Sequence, residues 1–182
     1  MQQQERFALP SQPGPPPDPA RPKPPSISPP VVVLDTNVAL DCLVFEDPSC
    51  RALTESLARG QWSWVATLPM RAELASVLSR LSWRGASVDS DHTLTVFDKL
   101  VKVCDEQAAP PAAAALRHCR DADDQKFLDL ALGLGARWLF SRDRALLEMA
   151  KPAFSLGLEI LTPALWSARN ADRPAESVPR TG

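Results

Sequence analysis

Val31-Val32-Val33-Leu34 runs directly into Asp35-Thr36-Asn37-Val38, and the fold is read outward from this junction. Four consecutive apolar residues, three of them β-branched, show no alternation between a wet and a dry face, the pattern of a strand covered on both sides. Asp, Thr and Asn then supply the side-chain oxygens that start helices. The alternation recurs downstream. Residues 49–59 have amphipathic helical spacing with Gly60 as the stop, and Trp62 to Thr67 is a second strand. Pro69 opens a helix closed by Gly85, and a further helix is expected from Asp89 or Ser90 to about Cys104. The Ala-rich stretch 112–119 reads as helix or loop. Asp121 to Leu134 is helical, ending at Gly133 and Gly135, and Arg137–Phe140 and Leu158–Leu161 are the last strands. Strands separated by helices pair in parallel through right-handed crossovers, so the expected fold class is α/β, a three-layer α/β/α sandwich around a mostly parallel sheet.

The ends differ from this middle. Eleven of the 19 prolines fall in residues 1–30, which predicts a disordered, partly polyproline-II leader. Residues 167–182 form a polar tail, leaving 31–166 as the folded domain. That domain carries 18 acidic and 14 basic side chains, a net of −4, so bulk positive charge does not attract its ligand. No apolar run approaches the roughly 18–20 residues of a membrane helix. The first residues lack the basic start and apolar stretch of a signal peptide. The four cysteines have no C-x-x-C spacing and only His92 and His118 could join them, which argues against zinc or a disulfide framework. A cytoplasmic protein without a membrane partner is expected.

In open parallel sheets, sites form beyond the carboxyl ends of the strands. Asp35 follows the first strand there, and Asp143 follows Phe140 after Ser141-Arg142. Asp124 starts one helix near that edge, and Glu73 lies in the first turns of another. Singly, each has an ordinary use as a cap, a turn residue or a solvated helix face. Jointly, four carboxylates on one edge repel one another unless a cation neutralises them. Hard oxygen ligands suit Mg²⁺ or Mn²⁺.

These segments resemble the PIN-domain nucleases, in particular their toxin–antitoxin toxin (VapC-like) branch. Val31 to Val38 is similar to the opening strand and first acid of that family, Arg71 to Leu78 to its second-acid helix, Cys119 to Leu128 to its third-acid segment, and Leu139 to Leu147 to its fourth-acid turn. The resemblance covers about residues 31–163, with the motifs in order; the Pro-rich leader is foreign to it. It implies a five-stranded sheet and a metal-dependent endoribonuclease. Asp35, Glu73, Asp124 and Asp143 would be the catalytic, Mg²⁺- or Mn²⁺-binding quartet. Asp121 would be an auxiliary ligand or merely a helix cap. Asn37 and Ser141 would orient carboxylates or form turns. Arg142 and Arg144 are the expected phosphate contacts, and Trp62, Trp64 and Trp83 would stack on bases or pack in the core. RNA is the implied substrate, with a small antitoxin protein as partner and a homodimer as assembly. Two alternatives stay open. One is a catalytically idle binding module on the same fold. The other is a phosphotransferase with a nucleophilic Asp35, which would want an acid where Asn37 stands and a lysine that only Lys126 could supply.

Overall fold

The computed structural model describes residues 28–83, 88–105, 119 and 121–170. The elements are β1 (Val31–Leu34), α1 (Thr36–Leu43), a short 3₁₀ turn (Pro48–Cys50), α2 (Arg51–Ala58), β2 (Ser63–Thr67), α3 (Leu68–Trp83), α4 (Ser90–Leu100), β3 (Val101–Cys104), α5 (Gln125–Gly133), β4 (Trp138–Phe140), α6 (Arg144–Glu148), α7 (Ala150–Phe154), β5 (Glu159–Leu161) and α8 (Pro163–Asn170). The strands form one sheet in the order β3-β2-β1-β4-β5, every pairing parallel. The expected α/β fold class is therefore what the chain adopts.

β1 lies at the centre, where the junction pattern places it. Val32 pairs with Trp64 on one side, and Val33 and Leu34 pair with Leu139 and Phe140 on the other. All five residues of β2 are buried. Successive strand side chains face opposite ways, so helices must cover both faces. Met70, Leu74 and Leu78 of α3, spaced four apart, and Phe127, Leu128 and Ala131 of α5 supply much of that cover. An aromatic cluster joins the β4–β5 side to α8. Trp62 lies 4.8 Å from Trp138 and 4.7 Å from Trp166 between ring centroids, and stacks on Phe140 at 5.9 Å. Trp64 meets Phe97 edge-on. Two of the tryptophans considered for base stacking are thus packing residues, whereas Trp83 ends α3 with 90% exposure.

Several local expectations change. The helix expected to reach Cys104 ends at Leu100, and Val101–Cys104 is the edge strand β3. No glycine or proline separates the two elements, so β-branched Val101 and Val103 alone mark the switch. Pro48–Cys50 is a 3₁₀ turn preceding α2. Asp121–Asp124 form a turn before α5 rather than its first residues. Gly60 and Gly135 take positive φ, 66° and 60°, where α2 and α5 turn into β2 and β4. The final helix continues to Asn170, into the stretch expected as tail. The expectations for residues 1–27 of the leader, for most of 112–119 and for 171–182 lie outside the described residues. Among the described residues, no helix is long and apolar enough to cross a membrane.

Phe140 is fully buried among three tryptophans. Phe140→Ala should cost about 3–5 kcal/mol of stability, read as a lower urea midpoint with altered tryptophan emission. A loss below about 1 kcal/mol would show that the aromatic cluster does not anchor this side of the sheet.

Candidate active site

Neighbouring parallel strands end at the same edge, so the residues after β1 and β4 are brought side by side. Asp35 follows β1 with 2% exposure. One carboxylate oxygen accepts the amide of Val38 at 2.6 Å, capping α1. The other accepts the Ser141 hydroxyl at 2.5 Å and, more weakly, the Arg142 amide at 3.3 Å. Burial pushes the Asp35 carboxyl above its ordinary range, against the pull of these donors and with a further push from Asp143.

Ser141, fully buried, also accepts the Asp143 amide at 2.9 Å. Asp143 in turn caps α6 by accepting from the Ala145 amide at 2.6 Å. Asp124 occupies the cap position of α5 yet makes no cap hydrogen bond. Its carboxyl is pushed up to about 6, first by burial, then by the charges of Asp143, Asp121 and Asp35, and by the nearness of the Asp143 carboxyl. Asp121 is held by the Asp123 amide, which donates to it at 2.9 Å. Asp121, Asp143, Arg144 and Glu148 line a cleft of about 460 Å³.

The structure therefore brings Asp35, Asp121 and Asp143 within electrostatic reach of Asp124, and Asp143 within reach of Asp35. Among the described residues, no lysine or arginine pairs with any of the four. Glu73 has different company. Its Oε1 accepts the Thr36 hydroxyl at 2.7 Å, and its Oε2 lies 2.5 Å from the Lys126 ammonium. Asn37 is exposed on α1. Arg142, expected at a phosphate, directs its guanidinium to Asp41 at 2.8 Å, Asp47 at 3.0 Å and Ser49 at 2.9 Å. Arg144 pairs with Glu148, its side chain 90% exposed at the cleft wall. Thr36 and Lys126 were not singled out as site residues from the sequence. A hydroxyl beside a candidate acid was the available signal for Thr36, and Lys126 had none beyond its nearness to Asp124.

The donor chemistry fits a hard divalent cation, because every candidate ligand is a carboxylate and, among the described residues, the four aspartates have no lysine or arginine paired with them. Among the described residues, no three such side chains are already disposed to hold an ion, so ligation would require rotamer changes around the anchored Asp35.

The raised Asp124 carboxyl has a consequence for stability in the metal-free state. The folded protein takes up a proton near pH 6, whereas the unfolded chain does so near about 4. Ionising Asp124 therefore costs stability above pH 6, and the cost is relieved as pH falls from about 7 towards 4. In EDTA, Tm should rise between pH 7 and pH 5, and Asp124→Asn should raise Tm at pH 7 and flatten the rise. An Asp124→Asn protein that melts lower at pH 7, with an unchanged slope, would contradict the repulsion.

The PIN domain matches residues 31–145 of this chain, more than half its length and spanning Asp35 through Asp143. No curated protein sequence matches it. Among solved structures, a chain of VapBC2 from Rickettsia felis, crystallised bound to a DNA fragment from their promoter, is 16% identical. It has a TM-score of 0.50, with 71% of this chain and 98% of that chain covered. PAE2754 from Pyrobaculum aerophilum is 19% identical, with 77% and 89% covered and a TM-score of 0.48. At such identities the VapBC2 likeness speaks to the fold; the sequence match settles the family, and the chain belongs to the PIN domain family.

Proposed function

We propose that the protein is a divalent-metal-dependent endoribonuclease and the toxin component of a type II toxin–antitoxin pair. The observation that carries the catalytic reading is the contrast in charge pairing. Asp41, Asp47, Glu55, Asp98, Glu148 and Glu159 each face a cation, whereas Asp35, Asp121 and Asp143 all bear on Asp124 and, among the described residues, none of the four pairs with one. A fold does not accumulate such repulsion for stability. It is the arrangement expected where a bound cation completes the charge balance.

Asp35, Asp124 and Asp143 would hold the ion, with Asp121 beside them. When bound, Mg²⁺ or Mn²⁺ supplies Lewis-acid stabilisation of the charge that develops in phosphodiester hydrolysis. The protein's own groups do the positioning. Ser141 fixes Asp35 through its hydroxyl and Asp143 through its backbone amide. Asp124, pushed up by burial and by its acidic neighbours, is the acid whose ionised form a bound cation would favour most. Membership of the PIN domain family supports nuclease chemistry. The motif resemblance to the toxin branch supports an RNA substrate and a small antitoxin protein as partner, and the VapBC2 fold relative is consistent with such pairing.

Purified protein should cleave single-stranded RNA in Mg²⁺ or Mn²⁺ and stop in EDTA. Asp143→Asn should lower turnover roughly 100-fold or more, as losing charge stabilisation does. Cleavage that persists in EDTA and survives Asp143→Asn would overturn the reading in favour of an idle module carrying a contaminating activity.

A further inference from the structure

A site that holds RNA on a domain of net charge −4 needs a cation facing the phosphodiester. Among the described residues, the arginines near the site are occupied or at its rim. Arg142 is tied to Asp41 and Asp47. Arg71 grips Asp98 through two hydrogen bonds of 2.6 Å. Arg144 pairs with Glu148 at the exposed rim.

Lys126 is placed otherwise. It stands in the first turn of α5, two residues after Asp124. Its Nζ lies 2.5 Å from Glu73 Oε2 and donates to the Asp123 carbonyl at 2.7 Å, and it lies 5.1 Å from the centre of the Phe127 ring. An ammonium has three donors, so one remains without a partner among the described residues. Both side chains of the pair keep about a third of their surface exposed, 34% each, so a ligand can reach them. Glu73 is itself steadied, because its other oxygen accepts from Thr36, the residue after Asp35. A continuous path thus runs from Asp35 through Thr36, Glu73 and Lys126 to the Asp123–Asp124 turn.

We propose that Lys126 binds the substrate phosphodiester at this site and that Glu73 is its positioning residue rather than a metal ligand; this rests on the nuclease reading above. A lysine on a free surface surrenders much rotamer freedom when it meets a phosphate. Here a carboxylate and a carbonyl hold the ammonium beforehand, which lowers that cost. The same positive charge offsets the repulsion between the aspartates and the incoming phosphate. Glu73, with one oxygen on the Lys126 ammonium at 2.5 Å and the other on Thr36, is the one of the four candidate acids whose charge is already balanced by a cation among the described residues.

The test uses the full chain and a labelled single-stranded RNA oligonucleotide, with Ca²⁺ replacing Mg²⁺ so that the substrate is not consumed. Lys126→Met should weaken RNA binding by about tenfold or more, the loss of one charged hydrogen bond. The slope of log Kd against log salt should become shallower by about 0.7, one phosphate contact on a single strand. Lys126→Arg should restore most of that slope, and Lys126→Gln serves if the Met variant does not fold. Glu73→Gln should weaken RNA binding while its Mn²⁺ affinity, measured by calorimetry, stays within about threefold of wild type. Lys126→Met binding RNA as wild type does, with the same salt slope, would overturn the assignment. Glu73→Gln losing Mn²⁺ affinity by more than about tenfold would overturn the positioning role. Wild-type protein that binds Mn²⁺ but no RNA would overturn the nuclease reading and this inference together, whereas wild-type binding matched by Lys126→Met removes this inference alone.

Discussion

The hydrogen bond from the Ser141 hydroxyl to the Asp35 carboxylate, 2.5 Å long and wholly buried, is the constraint on which the acidic edge depends. A carboxylate at this depth is costly unless donors surround it. Asp35 receives the Ser141 hydroxyl, the Val38 amide and the Arg142 amide. Those donors come from the segments after β1 and β4, so satisfying one charge clamps two strand ends together. The same Ser141 oxygen then accepts the Asp143 amide, which sets the start of α6. One hydroxyl thereby places two acids and one helix.

Around that clamp the charges divide into two kinds. Arg142 draws Asp41, Asp47 and Ser49 into a network of ordinary ion pairs and hydrogen bonds that ties the loop after β4 to α1 and to the 3₁₀ turn that follows it. Its backbone amide serves the site while its side chain serves the scaffold. Among the described residues, Asp121, Asp124 and Asp143 have no such relief. Their repulsion, felt most at Asp124, is a cost that the parallel sheet and its aromatic flank must sustain. Such local instability is characteristic of sites completed by a ligand.

Much of this was legible in the chain because it depends on short-range pattern. The β-branched run of β1 and the acids just after β1 and β4 are local features, and a parallel sheet then forces those ends together. β3 was not legible, because Leu100 passes into Val101 with no turn residue and the helical spacing of α4 runs on through it. The turn at Asp121–Asp124 was hidden for a related reason: its aspartates suit a first helical turn as well as they suit a cap. The Thr36–Glu73 contact spans 37 residues, and the Glu73–Lys126 pair joins α3 to α5. Neither has a sequence period to betray it. Arg142 looked available for a phosphate since it adjoins Asp143, and only the fold shows Asp41 and Asp47 waiting for it.

The central claim is that the repelling aspartates form a cation site anchored by Asp35. Crystals grown with Mn²⁺ and measured at the manganese absorption edge test it directly. The account predicts an anomalous peak at about 2.1–2.2 Å, an ordinary distance for a hard divalent ion, from carboxylate oxygens of Asp35, Asp124 and Asp143. No peak at that edge, or one seated only among Asp41, Asp47 and Glu55, would contradict it.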